Sequence, residues 1–412
     1  MTPRRSGALP PDVLRRVAPA RELAREAGIA LYLVGGAVRD LLLGRPVTDV
    51  DLVVEQDALG FAARLARELG ASVELHRRFG TAVLSLPDGE RLDVATARAE
   101  DYETPGALPR VRAGSIDDDL ARRDFTVNAM AMEIGRAKRA VLLDPFAGRK
   151  DLRRKVVRAL HPRSFVDDPT RAFRAVRYAN RLGFRIESST RAAIRAAVAA
   201  GAVNAVSGDR LRREIRLLFA EPNRAAAARE LAVLGLSRTL HPALSYGAAV
   251  GRRLRRAERL AAQAGRSATW LVYLLSWMGE CPTDVADAIA RRLNLSSAPS
   301  RTVRAWPDSW KALSRAGDRG VSALAERIER VGDDTSLAAA AAAPAPLARR
   351  ILSIRDAAPA FRLTIRGQDL VAAGVPPGPA IGRALSATLS ARRDGEIRPE
   401  QELAFALKAA RS

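Results

Sequence analysis

The stretch Leu31–Gly44, LYLVGGAVRDLLLG, constrains the fold more than any other part of the chain. A run of apolar residues meets a glycine pair, and apolar residues then recur at helical spacing as far as Gly44. That order predicts a strand, a tight turn and a helix. Further short apolar runs, Ala30–Val34, Val50–Val54, Ala82–Leu86 and Leu92–Ala95, alternate with Gly, Pro and Asp as strands do. Between them, Ala58–Leu69 has helical spacing and stops at Gly70. From Asp168 onward helical periodicity dominates and convincing strands are absent. The expected class is α+β, an N-terminal mixed α/β head followed by all-helical parts. At 412 residues the chain exceeds one compact core. The expected parts are a head at 1–148, a helical neck at 149–220, a helical body at 221–360 and a helical tail at 361–412. Ser336–Pro346, rich in Ala and ended by Pro, reads as a helix running into a linker.

The glycine turn has a chemical reading. Gly35 and Gly36 let backbone N–H groups approach a triphosphate, the following helix N-terminus favours negative charge, and Arg39 lies one turn in. A Gly-Gly pair by itself more often only joins a strand to a helix. Soon after comes Thr48-Asp49-Val50-Asp51-Leu52-Val53-Val54. In a strand, residues i and i+2 share a face, so Asp49 and Asp51 converge while Val50 and Leu52 pack behind. Adjacent carboxylates repel unless a divalent cation neutralises them, and hard Mg²⁺ takes carboxylate and phosphate oxygens. Such a metal would activate an attacking hydroxyl and neutralise a pyrophosphate leaving group. An isolated Asp-x-Asp also serves as turn caps at a strand start; the preceding glycine turn favours the metal. Asp93, in RLDVA on another expected strand, is either a third carboxylate or a strand-edge residue.

Lys and Arg number 68 against 46 acidic residues, a formal net charge of +22. Such an excess suits a polyanionic partner, because neutralising phosphates releases condensed counterions. A GC-rich genome, whose codons favour Arg and Ala, gives the same excess. The lone cysteine, Cys281, excludes an internal disulfide framework and a thiolate metal cluster. The three histidines, His76, His161 and His241, none beside an Asp, count against a histidine-aspartate phosphohydrolase or a histidine-rich metal site. No apolar run has transmembrane length, and MTPRRSGALPPDVL lacks the apolar stretch of a signal peptide. The expectation is a cytoplasmic protein with no membrane partner.

Phe165-Val166-Asp167-Asp168-Pro169-Thr170-Arg171 continues as AFRAVRYANRLGF. Asp168 reads as a helix N-cap and Pro169 as the first helical residue. At 100° per residue, Arg171, Arg174, Arg177 and Arg181 share one face, and Ala172, Phe173, Val176 and Ala179 the other. The bland reading is a solvated basic face. Downstream, Ser207 reads as the N-cap of another amphipathic helix. Trp270, Trp277, Trp306 and Trp310 sit among Leu, Val and Ala and read as core rather than as base-stacking platforms.

LVGGAVRDLLLG, then TDVDLVV, then ARRDFTVNAMA, resemble the class II CCA-adding enzyme and bacterial poly(A) polymerase family, which belongs to the polymerase-β-like nucleotidyltransferases. The resemblance implies a polymerase-β-like palm in the head. It also implies template-independent addition of CCA to the 3′ end of tRNA from CTP and ATP, with Mg²⁺ as cofactor. It assigns Gly35, Gly36 and Arg39 to the nucleotide phosphates, Asp49 and Asp51 to Mg²⁺, Arg123 to the nucleotide, and Asp124 to a place near the ribose. On local physics the Arg-Arg-Asp run is equally a helix-end salt bridge.

In the family's E/D-D-x-x-R motif, Asp168 and Arg171 select the base, and Arg174 and Arg177 help bind the nucleotide. Hydrogen-bond chemistry agrees. Cytosine and adenine each show an amino donor beside a ring-nitrogen acceptor, whereas uracil and guanine show a carbonyl beside an N–H. A carboxylate only accepts and a guanidinium only donates, so the pair matches C and A.

IRGQDLVAAGVPPGPAIGRAL resembles the tail of long CCA-adding enzymes and implies a tRNA-binding tail. Arg98–Asp119 fills the place of a flexible loop that enzymes adding only CC lack or shorten. By analogy, Gly148 in the Asp144–Asp151 joint supplies flexibility between head and neck. The alternatives are a CC-adding or A-adding tRNA nucleotidyltransferase, a bacterial poly(A) polymerase, or a non-enzymatic RNA-binding protein with a decayed head. The intact Gly35, Gly36, Asp49 and Asp51 speak against the last.

Overall fold

The computed structural model describes residues 4–5, 9–135, 140–263, 268–316, 320–357 and 362–411. These divide into two compact units, Met1–Val206 and Ser207–Ser412. Among the described residues no helix is long and apolar enough to cross a membrane.

Short strands, the central ones largely buried, build the first unit. They are β1 (Arg4–Arg5), β2 (Leu31–Val34), β3 (Val50–Val54), β4 (Ser72–His76), β5 (Thr81–Ser85), β6 (Arg91–Thr96), β7 (Arg98–Asp101), β8 (Arg110–Ala113), β9 (Ala131–Glu133) and β10 (Val141–Leu143). Eight of them form one sheet in the order β1-β10-β9-β2-β3-β6-β5-β4, in which β3 and β6 run parallel and the other pairs antiparallel. On one side Tyr32, Val34, Val53 and Ala131 pack against Ile116 and Leu120.

The helices here are α1 (Pro11–Glu26), α2 (Gly36–Leu42), α3 (Ala58–Leu69), α4 (Ile116–Ala121), α5 (Gly148–Arg154), α6 (Ser164–Asp167), α7 (Thr170–Leu182) and α8 (Ser188–Ala199). The α3 boundaries match their local chemistry. Asp57 accepts the Gly60 N–H at 2.9 Å, and Gly70 closes the helix in the left-handed region at φ 61°. Beyond Asp168 the described strand structure is limited to β12 (Arg185–Ile186), paired in parallel with β11 (Val156–Val157).

The second unit is helical throughout its described residues: α9 (Gly208–Ala220), α10 (Arg224–Val233), α11 (Leu236–Leu240), α12 (Ala248–Gln263), α13 (Trp270–Met278), α14 (Thr283–Arg292), α15 (Ser297–Ala316), α16 (Val321–Ala342), α17 (Ala345–Ala357), α18 (Gly367–Ala372), α19 (Pro379–Arg393) and α20 (Glu402–Arg411). The mixed head and helical remainder are thus the class expected. Ser207 caps α9 as read, accepting the Arg210 N–H. Trp277 and Trp306 are fully buried, their indole N–H groups donating to the carbonyls of Ser245 and Gly279. The Ala-rich segment is a buried helical run, Ala338–Ala341, and a short turn at Ala343 and Pro344 leads directly into α17. The expected linker there is a helix–helix corner, which small side chains permit by allowing close packing.

Candidate active site in the head and neck

Gly35 joins β2 to α2 at φ 65°, ψ −121°, a conformation that L side chains rarely adopt. A Cβ there would also lie 2.4 Å from Arg123 Nη1, so the turn admits only glycine. Because α2 has two turns, its dipole is small, and the positive charge at this turn comes from side chains. Arg39 is buried. Its Nε and Nη2 donate to Asp40 at 2.9 and 2.8 Å, and Nη1 donates to Asn128 Oδ1 at 2.7 Å. Arg123 donates from Nε and Nη2 to Asp119 Oδ2 at 3.2 and 2.8 Å, and from Nη1 to the Asn128 carbonyl at 3.4 Å.

The carboxylates sit on the neighbouring strand. Asp49 is exposed just before β3 and Asp51 is half-buried within it, while Val50 and Leu52 are buried on the opposite face. The parallel register sets Asp51 directly against Asp93. Burial pushes the Asp51 carboxyl above its ordinary range; Arg123 opposes this, and Asp93 and Asp49 add to it. Asp93 and Asp49 both line a cleft of about 440 Å³ with Thr48 and Arg91. Asp93 is held by Arg91 at 2.8 and 3.3 Å, a solvent-exposed pair that is weakly bound. Among the described residues no group of three or more His, Cys, Asp or Glu side chains converges as a metal site. Asp49 and Asp51 remain a like-charged oxygen pair of the kind a hard divalent ion fits, with substrate phosphates completing its shell.

The neck helix α7 faces this site with its arginines. Arg171 and Arg177 are only 5% and 7% exposed, while Arg174 is half-buried and Arg181 exposed, so only the outer end of the basic face is solvated. Asp168 lies two residues before α7, and its Oδ1 accepts the Thr170 N–H at 3.0 Å and the Thr170 hydroxyl at 2.6 Å. The helix therefore starts one residue later than read: Pro169 is the N-cap rather than the first helical residue, and Asp168 lies just outside it, bonding Thr170. Its Oδ2 is 4.0 Å from Arg171 Nε. Arg171 Nη1 donates to Ser164 at 3.0 Å, and Nη2 donates to the Arg122 carbonyl at 2.7 Å and the Tyr102 hydroxyl at 3.4 Å. Burial raises the Tyr102 hydroxyl to about 12 against the opposing pull of Arg171, with Glu100 adding to the rise, so it stays protonated. Asp124 is buried, with Oδ1 accepting Phe125 N–H and Asn128 Nδ2 and Oδ2 accepting Arg174. Burial would raise its pKa, but Arg174 and these hydrogen bonds hold it below the ordinary value.

Asp119, Asn128, Tyr102, Ser164 and Tyr178 were not singled out in the sequence. For Asp119 a signal existed: it precedes Arg122 and Arg123 by three and four residues, the helical ion-pair spacing. Gly148 gains a packing reason for being glycine, because a Cβ there would lie 2.3 Å from the Thr126 carbonyl. Residues 98–119 form the β7–β8 hairpin and the start of α4, and the Gly106 N–H donates to the Asp167 carbonyl at 3.2 Å.

The second unit carries a basic groove of about 910 Å³ lined by α12 and Ala341–Pro344. Arg252, Arg255 and Arg259 are exposed on one stripe, without ion pairs among the described residues. Burial lowers the pKa of Arg253 and Arg256, and the neighbouring Arg252 and Arg259 lower them further.

Residues 31–158 match the family described as "Poly A polymerase head domain", and residues 183–247 that described as "Probable RNA and SrmB- binding site of polymerase A". The chain is 34% identical over 96% of its length to an A-adding tRNA nucleotidyltransferase of Geobacter sulfurreducens, covering 47% of that protein. It is 35% identical to a CC-adding tRNA nucleotidyltransferase of Deinococcus radiodurans, covering 97% of this chain and 92% of the relative. A CCA-adding enzyme of Geobacillus stearothermophilus is 31% identical, with 93% of each chain covered. The chain spans half or less of the length of its A-adding relatives, 47%, 50% and 23% in three cases.

Among solved structures, the Thermotoga maritima CCA-adding enzyme complexed with tRNA superposes with a TM-score of 0.80 at 30% identity, over 98% of this chain and 97% of that one. CCA-adding enzyme complexes with ATP and CTP superpose at 0.80 and 0.82, at 30% identity, over 96% and 98% of this chain and 93% and 96% of theirs. The chain belongs to the class II CCA-adding tRNA nucleotidyltransferase and poly(A) polymerase family.

Proposed function

We propose that the chain is a Mg²⁺-dependent tRNA nucleotidyltransferase that builds CCA on tRNA 3′ ends without a nucleic-acid template. A tRNA 3′-hydroxyl oxygen bonds to the α-phosphorus of CTP or ATP, the bond to the β-phosphate oxygen breaks, and pyrophosphate leaves. The turn at Gly35 and Gly36, with Arg39, Arg123, Arg174 and Arg177, holds the phosphates. Asp168 and Arg171 read the base edge, and Asp124 orients Arg174 from beneath. Asp49 and Asp51 would hold the metal, which when bound supplies counter-charge for the phosphates and lowers the pKa of the attacking hydroxyl. Asp93, opposite Asp51, adds negative field that favours that cation.

One observation carries this reading. Arg171 donates to the carbonyl of Arg122, the residue before Arg123, so the base-reading pair is anchored to the C-terminal end of α4, next to the phosphate arginine. A pocket read by fixed donors and acceptors discriminates bases without a template strand. The α12 groove offers unpaired guanidinium groups suited to RNA phosphates, with the tail as a further tRNA contact. The division into head, neck, body and tail at residues 148, 220 and 360 and a cytoplasmic location belong to the same proposal.

The identity of the relatives favours a second reading, addition of A alone or of CC alone. The β7–β8 hairpin in the place of the flexible loop favours an enzyme that adds A. The test is incubation of purified protein with tRNA lacking CCA, tRNA ending in CC, and intact tRNA, each with every nucleoside triphosphate. Full CCA on the first substrate supports the proposal. Extension of only the CC-ended tRNA assigns A addition, a stop after CC assigns CC addition, and long A tracts on intact tRNA assign a poly(A) polymerase.

A further inference from the structure

Tyr178 lies half-buried on α7 among three arginines drawn from two elements. The guanidinium carbon of Arg177 is 4.8 Å from its ring centroid, and those of Arg39 and Arg174 are each 5.5 Å away. Phe125 closes the ring's edge at 5.8 Å and 77°. Three cations this close repel. Carboxylates oppose part of this repulsion, with Asp40 beside Arg39 and Asp124 beside Arg174. More carboxylates would cancel the charge that an incoming polyanion needs. An aromatic ring acts differently: its quadrupole attracts cations while leaving their net charge intact. The hydroxyl contributes one long contact, from Arg174 Nη2 at 3.5 Å, so the ring carries the effect.

We propose that Tyr178 is a positioning residue whose ring gathers Arg39, Arg174 and Arg177 into one cation cluster for the phosphate chain of the bound nucleoside triphosphate. This rests on the nucleotidyl-transfer reading of the site. The neutral ring keeps the guanidinium groups together before any anion arrives, so the cluster is preorganised rather than assembled by the nucleotide. Its contribution therefore scales with the number of phosphates on the ligand.

The test compares the unsubstituted chain with Tyr178→Phe and Tyr178→Leu, measuring ATP and AMP binding with Mg²⁺ at fixed ionic strength, and KM and kcat for incorporation. Tyr178→Phe keeps the ring and stays within about twofold of the unsubstituted chain. Tyr178→Leu binds ATP about tenfold more weakly, AMP binding changes by less than about twofold, and KM rises with little change in kcat. If Tyr178→Leu fails to fold, Tyr178→Met fills the space without a π face and takes its place. Equal losses of ATP and AMP, a Phe variant as impaired as Leu, or an undiminished ATP affinity in Leu each overturn the inference. Failure of the unsubstituted chain to bind ATP at all overturns the nucleotidyl-transfer reading instead.

Discussion

Arg174 on the neck helix donates from both Nε and Nη2 to a single oxygen of Asp124, at 2.8 and 2.6 Å, across fifty positions of sequence. The other Asp124 oxygen accepts the Phe125 N–H and the Asn128 amide, each at 2.9 Å. A carboxylate this engaged fixes a helix to the head. Asp124→Ala leaves Arg174 without that carboxylate and should cost about 2–3 kcal/mol, because breaking a buried pair exposes the uncompensated partner. Urea unfolding checks this, and a double-mutant cycle with Arg174→Ala isolates the coupling. An Asp124→Ala midpoint equal to that of the unsubstituted chain would show that the contact holds nothing together.

Asp49 and Asp51 repel each other and Asp93, so removing them relieves strain in the fold while removing the proposed metal ligands. The double variant Asp49→Ala, Asp51→Ala should lose about 10³-fold or more of its incorporation rate. Its melting temperature should not fall, and its tRNA affinity should change little. Incorporation at an undiminished rate would remove the basis of the proposed chemistry.

Nucleotide choice should respond to the neck pair. Asp168→Ala removes the acceptor proposed to meet the base's amino group. Discrimination of CTP and ATP against UTP and GTP should then fall by about tenfold or more, each base-edge contact being worth about 1–3 kcal/mol. The readout is kcat/KM for all four nucleotides. An unchanged ratio with reduced rates would point to a capping role alone, through the Thr170 hydrogen bonds.

Local signals and tertiary ones were unequally readable. The bounds of α3 were legible because an acceptor at Asp57 and a left-handed Gly70 state them locally. The period-2 pattern of Val50–Val54 likewise needs no partner to be recognised. The register that sets Asp51 against Asp93 was not, since parallel pairing depends on a crossover and on strand order. Ser72–His76, SVELH, does alternate polar and apolar residues, but it is an edge strand whose Val73 and Leu75 are only half-buried, and it forms no continuous apolar run. On α7, periodicity reported two unlike faces but not which one meets water. Arg171 and Arg177 proved buried, Arg171 on the Ser164 hydroxyl and the Arg122 carbonyl, contacts remote from the helix period. Tyr178 and Asn128 gain meaning only from neighbours remote in sequence.

Acid should loosen the start of α8 in a defined window. Burial would raise the Glu187 carboxyl, but hydrogen bonds from Ser189, the Thr190 N–H and Ser188, with Arg158 at 3.4 Å, hold it down to about 2. A carboxylate depressed in the fold stabilises it above its ordinary value of 4.5, and that stability is lost as pH falls toward 2. Glu187→Ala should therefore cost about 1 kcal/mol at pH 7, the usual worth of a helix cap, and the gap should close between pH 4.5 and 2. Unfolding midpoints for both proteins across that range provide the check. A gap that stayed constant would mean the carboxylate charge plays no part.

The arginine stripe on α12 makes a prediction about salt. Arg252, Arg255 and Arg259 lie exposed along one groove, and burial, with added repulsion from Arg252 and Arg259, lowers the pKa of Arg253 and Arg256. Arginines that outnumber the groove's acid, Glu258, cost stability unless a polyanion arrives, and each phosphate contact releases about one counterion. Replacing the three with Gln should weaken tRNA binding and make the slope of log K against log salt shallower by about 3. The reaction on a short CC-ended oligonucleotide, which needs no distant backbone contact, should keep its rate. The same slope before and after substitution would assign the groove to solvent, while a parallel loss on the short substrate would trace the effect to folding rather than to RNA phosphates. Loss of conformational stability is separately measurable and expected to be slight or reversed, because removing mutually repelling cations relieves the cluster.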